Sequence, residues 1–149
     1  MRAVIQRVKN ASVVISGALT AKIDTGLLVL LGIAEDDSAD DVDWLVRKIV
    51  NMRIFQDFED KMNLCLSDVE GELLVVSQFT LHASTKKGNR PSFIKAAHPE
   101  KAIPLYNDFI LKCEKEVKKV ETGKFGADMK VSLLNDGPVT IIIDSKDKQ

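Results

Sequence analysis

Gly71-Glu72-Leu73-Leu74-Val75-Val76 runs directly into Ser77-Gln78-Phe79-Thr80, and the change of character between the two halves sets the class of fold. The first half is short, apolar and β-branched after a glycine break, which predicts a buried strand. The second half places polar groups at the mouth of that strand, where mixed α/β folds keep their chemistry. Working outward, Asp68-Val69-Glu70-Gly71 reads as the turn that leads in. Leu27-Leu28-Val29-Leu30-Leu31-Gly32-Ile33 is apolar throughout, the pattern of a central strand covered on both faces. Val4 to Val8 and Ser12 to Ser16 read as strands, with Gly17-Ala18 turning into Leu19 to Asp24. Arg53-Ile54-Phe55 and Met62-Asn63-Leu64 flank a polar loop, Gln56 to Lys61, and could pair or lie at a sheet edge.

Two segments carry helical spacing. Ser38 is set to cap a helix whose first turn holds Asp40 and Asp41. Val42, Leu45, Val46 and Ile49 then follow the i, i+3, i+4, i+7 rule up to about Asn51. A second helix begins at Pro99, where proline is tolerated, and its apolar stripe is Ile103, Tyr106, Phe109, Ile110, Cys113 and Val117. Lys112, Lys115, Lys118 and Lys119 lie off that stripe among Glu114 and Glu116, as on a solvated face. Two final strands, Lys130 to Leu134 and Val139 to Asp144, are joined by Asn135-Asp136-Gly137-Pro138, and the charged tail from Ser145 reads as frayed. The whole is a strand-rich α+β (mixed α/β) single domain, 1–149, with two main helices.

At 149 residues the chain is long enough to bury a proper core. A net charge of −1 argues against a protein that coats nucleic acid non-specifically, and leaves room for one that grips a nucleic-acid end through a local basic patch. No apolar run approaches the roughly 20 residues that cross a bilayer. The first eight residues alternate and carry charge, as a strand does and a signal peptide does not. Cys65 and Cys113 form no CxxC pair, so neither a disulfide framework nor a zinc site is expected, and no cofactor is called for. A cytoplasmic location is the default expectation.

Thr80 is the candidate hydroxyl nucleophile, and His82 would share its side if the strand continued. A threonine hydroxyl needs a base to attack at neutral pH, and no acid is placed to orient His82. Alternatively, Ser77 and Thr80 cap the strand end by bonding backbone groups there. A third reading needs no nucleophilic side chain. With an ester beside a free hydroxyl, the protein need only orient the substrate and stabilise the oxyanion with a backbone N–H of Phe79 or Thr80. One such donor is worth ~3 kcal/mol. Gln78 can donate and accept, which suits it to position substrate or water. His98, before a helix start, reads as structural. Asn135-Asp136-Gly137-Pro138 is either a plain hairpin turn or, with a cis proline, a rigid wall of backbone atoms that tests shape. Lys86, Lys87 and Arg90 around Gly88 could contact phosphates.

Met1-Arg2-Ala3-Val4-Ile5-Gln6-Arg7-Val8, Ser77-Gln78-Phe79-Thr80-Leu81, Gly88-Asn89-Arg90-Pro91-Ser92-Phe93 and Asn135-Asp136-Gly137-Pro138-Val139-Thr140 together closely resemble D-aminoacyl-tRNA deacylases, in order and over the whole chain. The resemblance implies sheets forming a barrel-like core and a homodimer with active sites at the subunit interface. It implies a pocket for the 3′-terminal aminoacyl-adenosine of tRNA lined by Ser77, Gln78, Phe79 and Thr80, with Thr80, Gln78 and Phe79 as the catalytic candidates. Gly137 and Pro138 would reach in from the other subunit and screen chirality, Arg7 would hold that motif, and Phe125 and Met129 would contact the terminal adenine. Catalysis then takes one of two routes, Thr80 as nucleophile or assistance from the terminal ribose hydroxyl. The absence of a base for Thr80 favours the second. Two other readings compete: a non-catalytic dimeric nucleic-acid-binding protein using Lys86, Lys87, Arg90 and the lysine-rich helix, and a small-molecule esterase using Thr80 and His82.

Overall fold

A computed structural model describes residues 1–148. The strand β1 (Arg2–Ile15) turns through Ser16 and Gly17 into β2 (Ala18–Ile23), which is followed by β3 (Gly26–Gly32). Both pair antiparallel with β1, β2 along its second half and β3 along its first. The two strands read separately as Val4 to Val8 and Ser12 to Ser16 are therefore one. The exposed Lys9-Asn10 pair looks like an interruption, yet the ladder continues across it.

Helix α1 (Ala39–Val50) starts at Ser38, whose N–H donates to the Asp41 carboxylate at 2.8 Å, and buries Val42, Leu45, Val46 and Ile49 as the spacing predicts. The short pair β4 (Phe55–Gln56) and β5 (Met62–Leu64) forms its own two-stranded sheet. Strand β6 (Glu72–Ser77) lies parallel to β3, and a single 3-10 turn, Phe79–His82, follows it. Helix α2 (Pro99–Glu116) buries Ala102, Tyr106, Phe109 and Cys113. It ends earlier than its apolar stripe suggests. Val117 is already extended, so Lys118 and Lys119 are not on the helix. They lead into β7 (Val120–Thr122), a strand parallel to β6 that local pattern does not reveal because it has only three residues.

The last strand, β8 (Lys130–Asp144), corrects the expected hairpin. Its two halves run in the same direction along β1, Leu134 opposite Asn10 and Thr140 opposite Gln6, so Asn135 to Pro138 is an irregularity within one strand and not a turn between two. The tail is not frayed where it begins. The Ser145 N–H donates to the Met1 carbonyl at 2.8 Å, its hydroxyl donates to Asp41 at 2.6 Å, and Lys146 pairs with Asp41 at 3.0 Å.

Side-chain alternation on β3 and β6 explains the layers. Leu27, Val29, Leu31, Leu73 and Val75 face the helices, while Leu28, Leu74 and Val76 face a second cluster with Val8, Val13 and Ile23. Strands covered on both faces are apolar at every position. The second cluster draws β1, β2, β3 and β6 around one interior, so the sheet curls into a nearly closed, barrel-like form. No helix among the described residues is long and apolar enough to cross a membrane.

Candidate active site

Because β3 and β6 are parallel, their carboxyl ends emerge side by side, Leu31 opposite Ser77. Parallel strands in open sheets and in barrels alike present ligand sites outside such ends. The chain does not continue as a strand here. The Gln78 N–H donates to the Leu31 carbonyl at 2.8 Å, and the segment then folds back over Gly32. A Cβ on Gly32 would stand 2.9 Å from the Gln78 carbonyl oxygen and 3.0 Å from Leu81 Cβ, so the crossing requires glycine. The shared side expected for Thr80 and His82 is lost with the strand.

In the resulting turn, Gln78 Nε2 donates to Thr80 Oγ1 at 2.5 Å. Thr80 is exposed, and its side chain reaches no base among the described residues. His82 is buried, and its Nε2 has no hydrogen-bond partner among the described residues. Among the described residues neither Ser77 nor Thr80 makes the side-chain bond to backbone that a strand-capping role would use.

Beside the turn lies a cavity of about 260 Å³ lined by Ser77, Gln78, Phe79, Phe125 and Met129. Five residues singled out from the sequence therefore share one concavity, and Thr80 stands outside its lining. One residue supports the cavity wall from behind without a sequence signal for that role. Tyr106, readable only as core from its helical spacing, donates its hydroxyl to the Val75 carbonyl at 3.1 Å and packs edge-on against Phe125 with ring centres 5.8 Å apart. Burial pushes the Tyr106 hydroxyl up to about 12, so it serves as an anchor and stays protonated. Burial, with Glu114 and Glu116 nearby, likewise pushes the Cys113 thiol up to about 12, which leaves it inert. No group of three or more His, Cys, Asp or Glu able to hold a metal ion occurs among the described residues.

Gly137 and Pro138 are elsewhere. Their peptide bond is cis, and they sit where β8 passes Arg7, which pairs with Leu27 at the far end of β3. Leu27 and Leu31 are separated by ~13 Å of strand. Arg7 continues the inward face of Ala3 and Ile5 and is only 4% exposed. A buried guanidinium is costly without partners. Arg7 Nε donates to the Asp136 carbonyl at 2.7 Å and Nη1 to the Ile54 carbonyl at 2.5 Å, which ties the bulged segment to the body. A Cβ on Gly137 would stand 2.6 Å from the Val139 nitrogen and 3.4 Å from Arg7 Nη2, so no larger residue fits that backbone path.

Comparison with known proteins identifies the family. The profile of the family described as D-Tyr-tRNA(Tyr) deacylase matches residues 4–144. The chain is 64% identical to the D-aminoacyl-tRNA deacylase of Cytophaga hutchinsonii and 61% identical to that of Flavobacterium johnsoniae, over all of each chain. Among solved structures it is similar to the c-Myc DNA Unwinding Element Binding Protein, with 42% identity, a TM-score of 0.92 and 97% and 98% of the two chains covered. A probable eukaryotic D-amino acid tRNA deacylase, 16% identical with a TM-score of 0.82 over 95% and 97% of the chains, shares the fold. With the family match spanning the chain from β1 to the end of β8, this protein belongs to the D-Tyr-tRNA(Tyr) deacylase family and is, as a deacylase, a hydrolase.

Proposed function

We propose that the chain hydrolyses the ester of D-aminoacyl-tRNA, and of glycyl-tRNA, releasing the amino acid and free tRNA. It does so as a homodimer in which Gly137 and Pro138 of one copy close the cavity of the other. The observation that carries this reading is a division within the chain. The cavity with Phe125 and Met129 is at one end of β3, and the backbone wall held by Arg7 is at the other. Phe125 and Met129 offer an apolar, polarisable surface suited to an adenine. The N–H groups of Phe79 and Thr80 are candidates for the oxyanion, Ser77 and Gln78 for holding the aminoacyl group, and the neighbouring ribose hydroxyl of the substrate assists the hydrolysis.

D and L esters differ by exchanging hydrogen and side chain at one carbon. With amino group and ester pinned, an L side chain meets the Gly137-Pro138 wall and a D side chain points outward. Rejection through a clash discriminates strongly, since each 1.4 kcal/mol is about a tenfold factor. Glycine has no side chain to clash and passes.

The test is release of D-tyrosine, L-tyrosine and glycine from charged tRNAs, with a chelator present. Loss of the D and glycyl esters alone supports the reading. Equal loss of D and L removes the chirality filter, and loss of none removes the deacylase. The c-Myc DNA Unwinding Element Binding Protein gives one specific ground for a second reading, nucleic-acid binding without cleavage. Salt-sensitive binding with every ester intact would favour it.

A further inference from the structure

We propose that residues 83–95 bind the phosphate backbone of the tRNA acceptor stem, next to the 3′ end held in the cavity. This rests on the deacylase reading and names the part of the substrate that the cavity itself does not reach. The segment contains Lys86, Lys87, Arg90 and Lys95 and no carboxylate, in a chain whose net charge is −1. None of these four cationic side chains has a hydrogen-bond or ion-pair partner among the described residues. Several lysines elsewhere are matched: Lys112 with Asp43 and Asp108, Lys119 with Glu72, Lys130 with Asp128, and Lys146 with Asp41. Lys115 and Lys118, unmatched among the described residues, lie among Glu114 and Glu116. An acid-free set of unpaired cations is the electrostatic footprint of a polyanion.

Placement decides which polyanion. The loop is pinned at its base, where Ser84 and Ser92 exchange two backbone hydrogen bonds of 2.8 and 2.9 Å. Phe93 then packs edge-on against Phe79 of the cavity, ring centres 5.1 Å apart, and the Ala97 N–H donates to the Ile33 carbonyl at 2.9 Å. Phe79 and Ala97 both line the cavity, so the loop leaves and rejoins the body at the cavity rim. A Cβ on Gly88 would meet nothing within 4 Å, which leaves its backbone open to close approach by a phosphate. A stem continuing outward from a 3′ end in the cavity would meet this acid-free loop at the rim, whereas the lysines of α2 alternate with Glu114 and Glu116.

The experiment compares the wild type with K86A/K87A/R90A and a control, K115A/K118A. Binding to D-tyrosyl-tRNA is followed against salt, and cleavage of both D-tyrosyl-tRNA and the short ester D-tyrosyl-adenosine is measured. Removing three cations that each neutralise a phosphate should lower the slope of log K against log salt by about 2.7. Between 50 and 200 mM salt the wild type should then lose roughly 40-fold more affinity than the variant. Cleavage of the short ester should be unchanged, which also shows that the variant folds. An unchanged slope, an equal change in the control, or equal loss on both esters overturns the proposal. A wild type that cleaves neither ester instead removes the deacylase reading, so the two failures are distinct.

Discussion

Thr80 was readable as a hydroxyl at a strand end, and its surroundings were not. The spacing to His82 suggests a pair only if the strand runs on. The Gln78 hydrogen bond to Leu31 and the crossing over Gly32 join segments over forty residues apart, which no local pattern carries. In the folded chain the Thr80 oxygen accepts from Gln78, so what is organised is the amide, with no base beside the hydroxyl among the described residues. Replacing Thr80 by Ala should therefore leave deacylation within about tenfold of wild type, a loss of no more than ~1.4 kcal/mol in the barrier. Single-turnover rates on D-tyrosyl-tRNA test this, and a drop of about a thousandfold or more would restore Thr80 as the nucleophile. Arg7 teaches the converse. Its alternation with Ala3 and Ile5 marks an inward-facing position, but only the structure supplies the two carbonyls that make a buried guanidinium acceptable.

At the scale of elements, α1, β3 and β6 were legible because their periodicities are strong. β8 was misread because Asn-Asp-Gly-Pro has turn chemistry. That local preference yields to pairing with β1, which extends on both sides of the irregularity. The tail was misread for a similar reason, since charge suggests fraying while Ser145 and Lys146 are tied to the first turn of α1. Burial raises the Asp41 carboxyl, but hydrogen bonds from Ser145, Lys146 and Ser38 outweigh it and hold the group well below its ordinary value of 3.8. A folded value below the unfolded one gives stability that is present above pH ~4 and lost as the pH falls further. The denaturant midpoint of the wild type should drop steeply from about pH 4 to pH 2. Asp41→Asn should be less stable at pH 7 and show a shallower acid slope, by up to ~1.4 kcal/mol per pH unit. Asp57, Asp68 and Asp144 are lowered too, so the slope should diminish without vanishing. Parallel acid profiles for the two proteins would show that Asp41 is not the group responsible.

For the whole molecule, the fold class and the gathering of Ser77, Gln78, Phe79, Phe125 and Met129 followed from pattern and resemblance, but the distance between that cavity and Gly137-Pro138 did not. It matters because, on the proposed function, one chain then holds two half-sites that do not meet. Among the described residues strand β8 pairs with β1 along one edge only, and Leu134 and Ile142 are 56% and 66% exposed, so apolar surface remains for a second copy. A closed two-fold pair would bring each cavity to the other chain's wall. Mixing two variants tests this directly. Gln78→Ala should cleave neither D nor L esters, and Gly137→Ala, whose added Cβ must push Val139 aside, should cleave both. In a one-to-one mixture with free exchange, half the dimers are hybrids, each with one defective site and one fully native site. Cleavage of the L ester should then fall to about half that of the unmixed proteins, while cleavage of the D ester stays constant. If every site were built within a single chain, mixing would change neither rate.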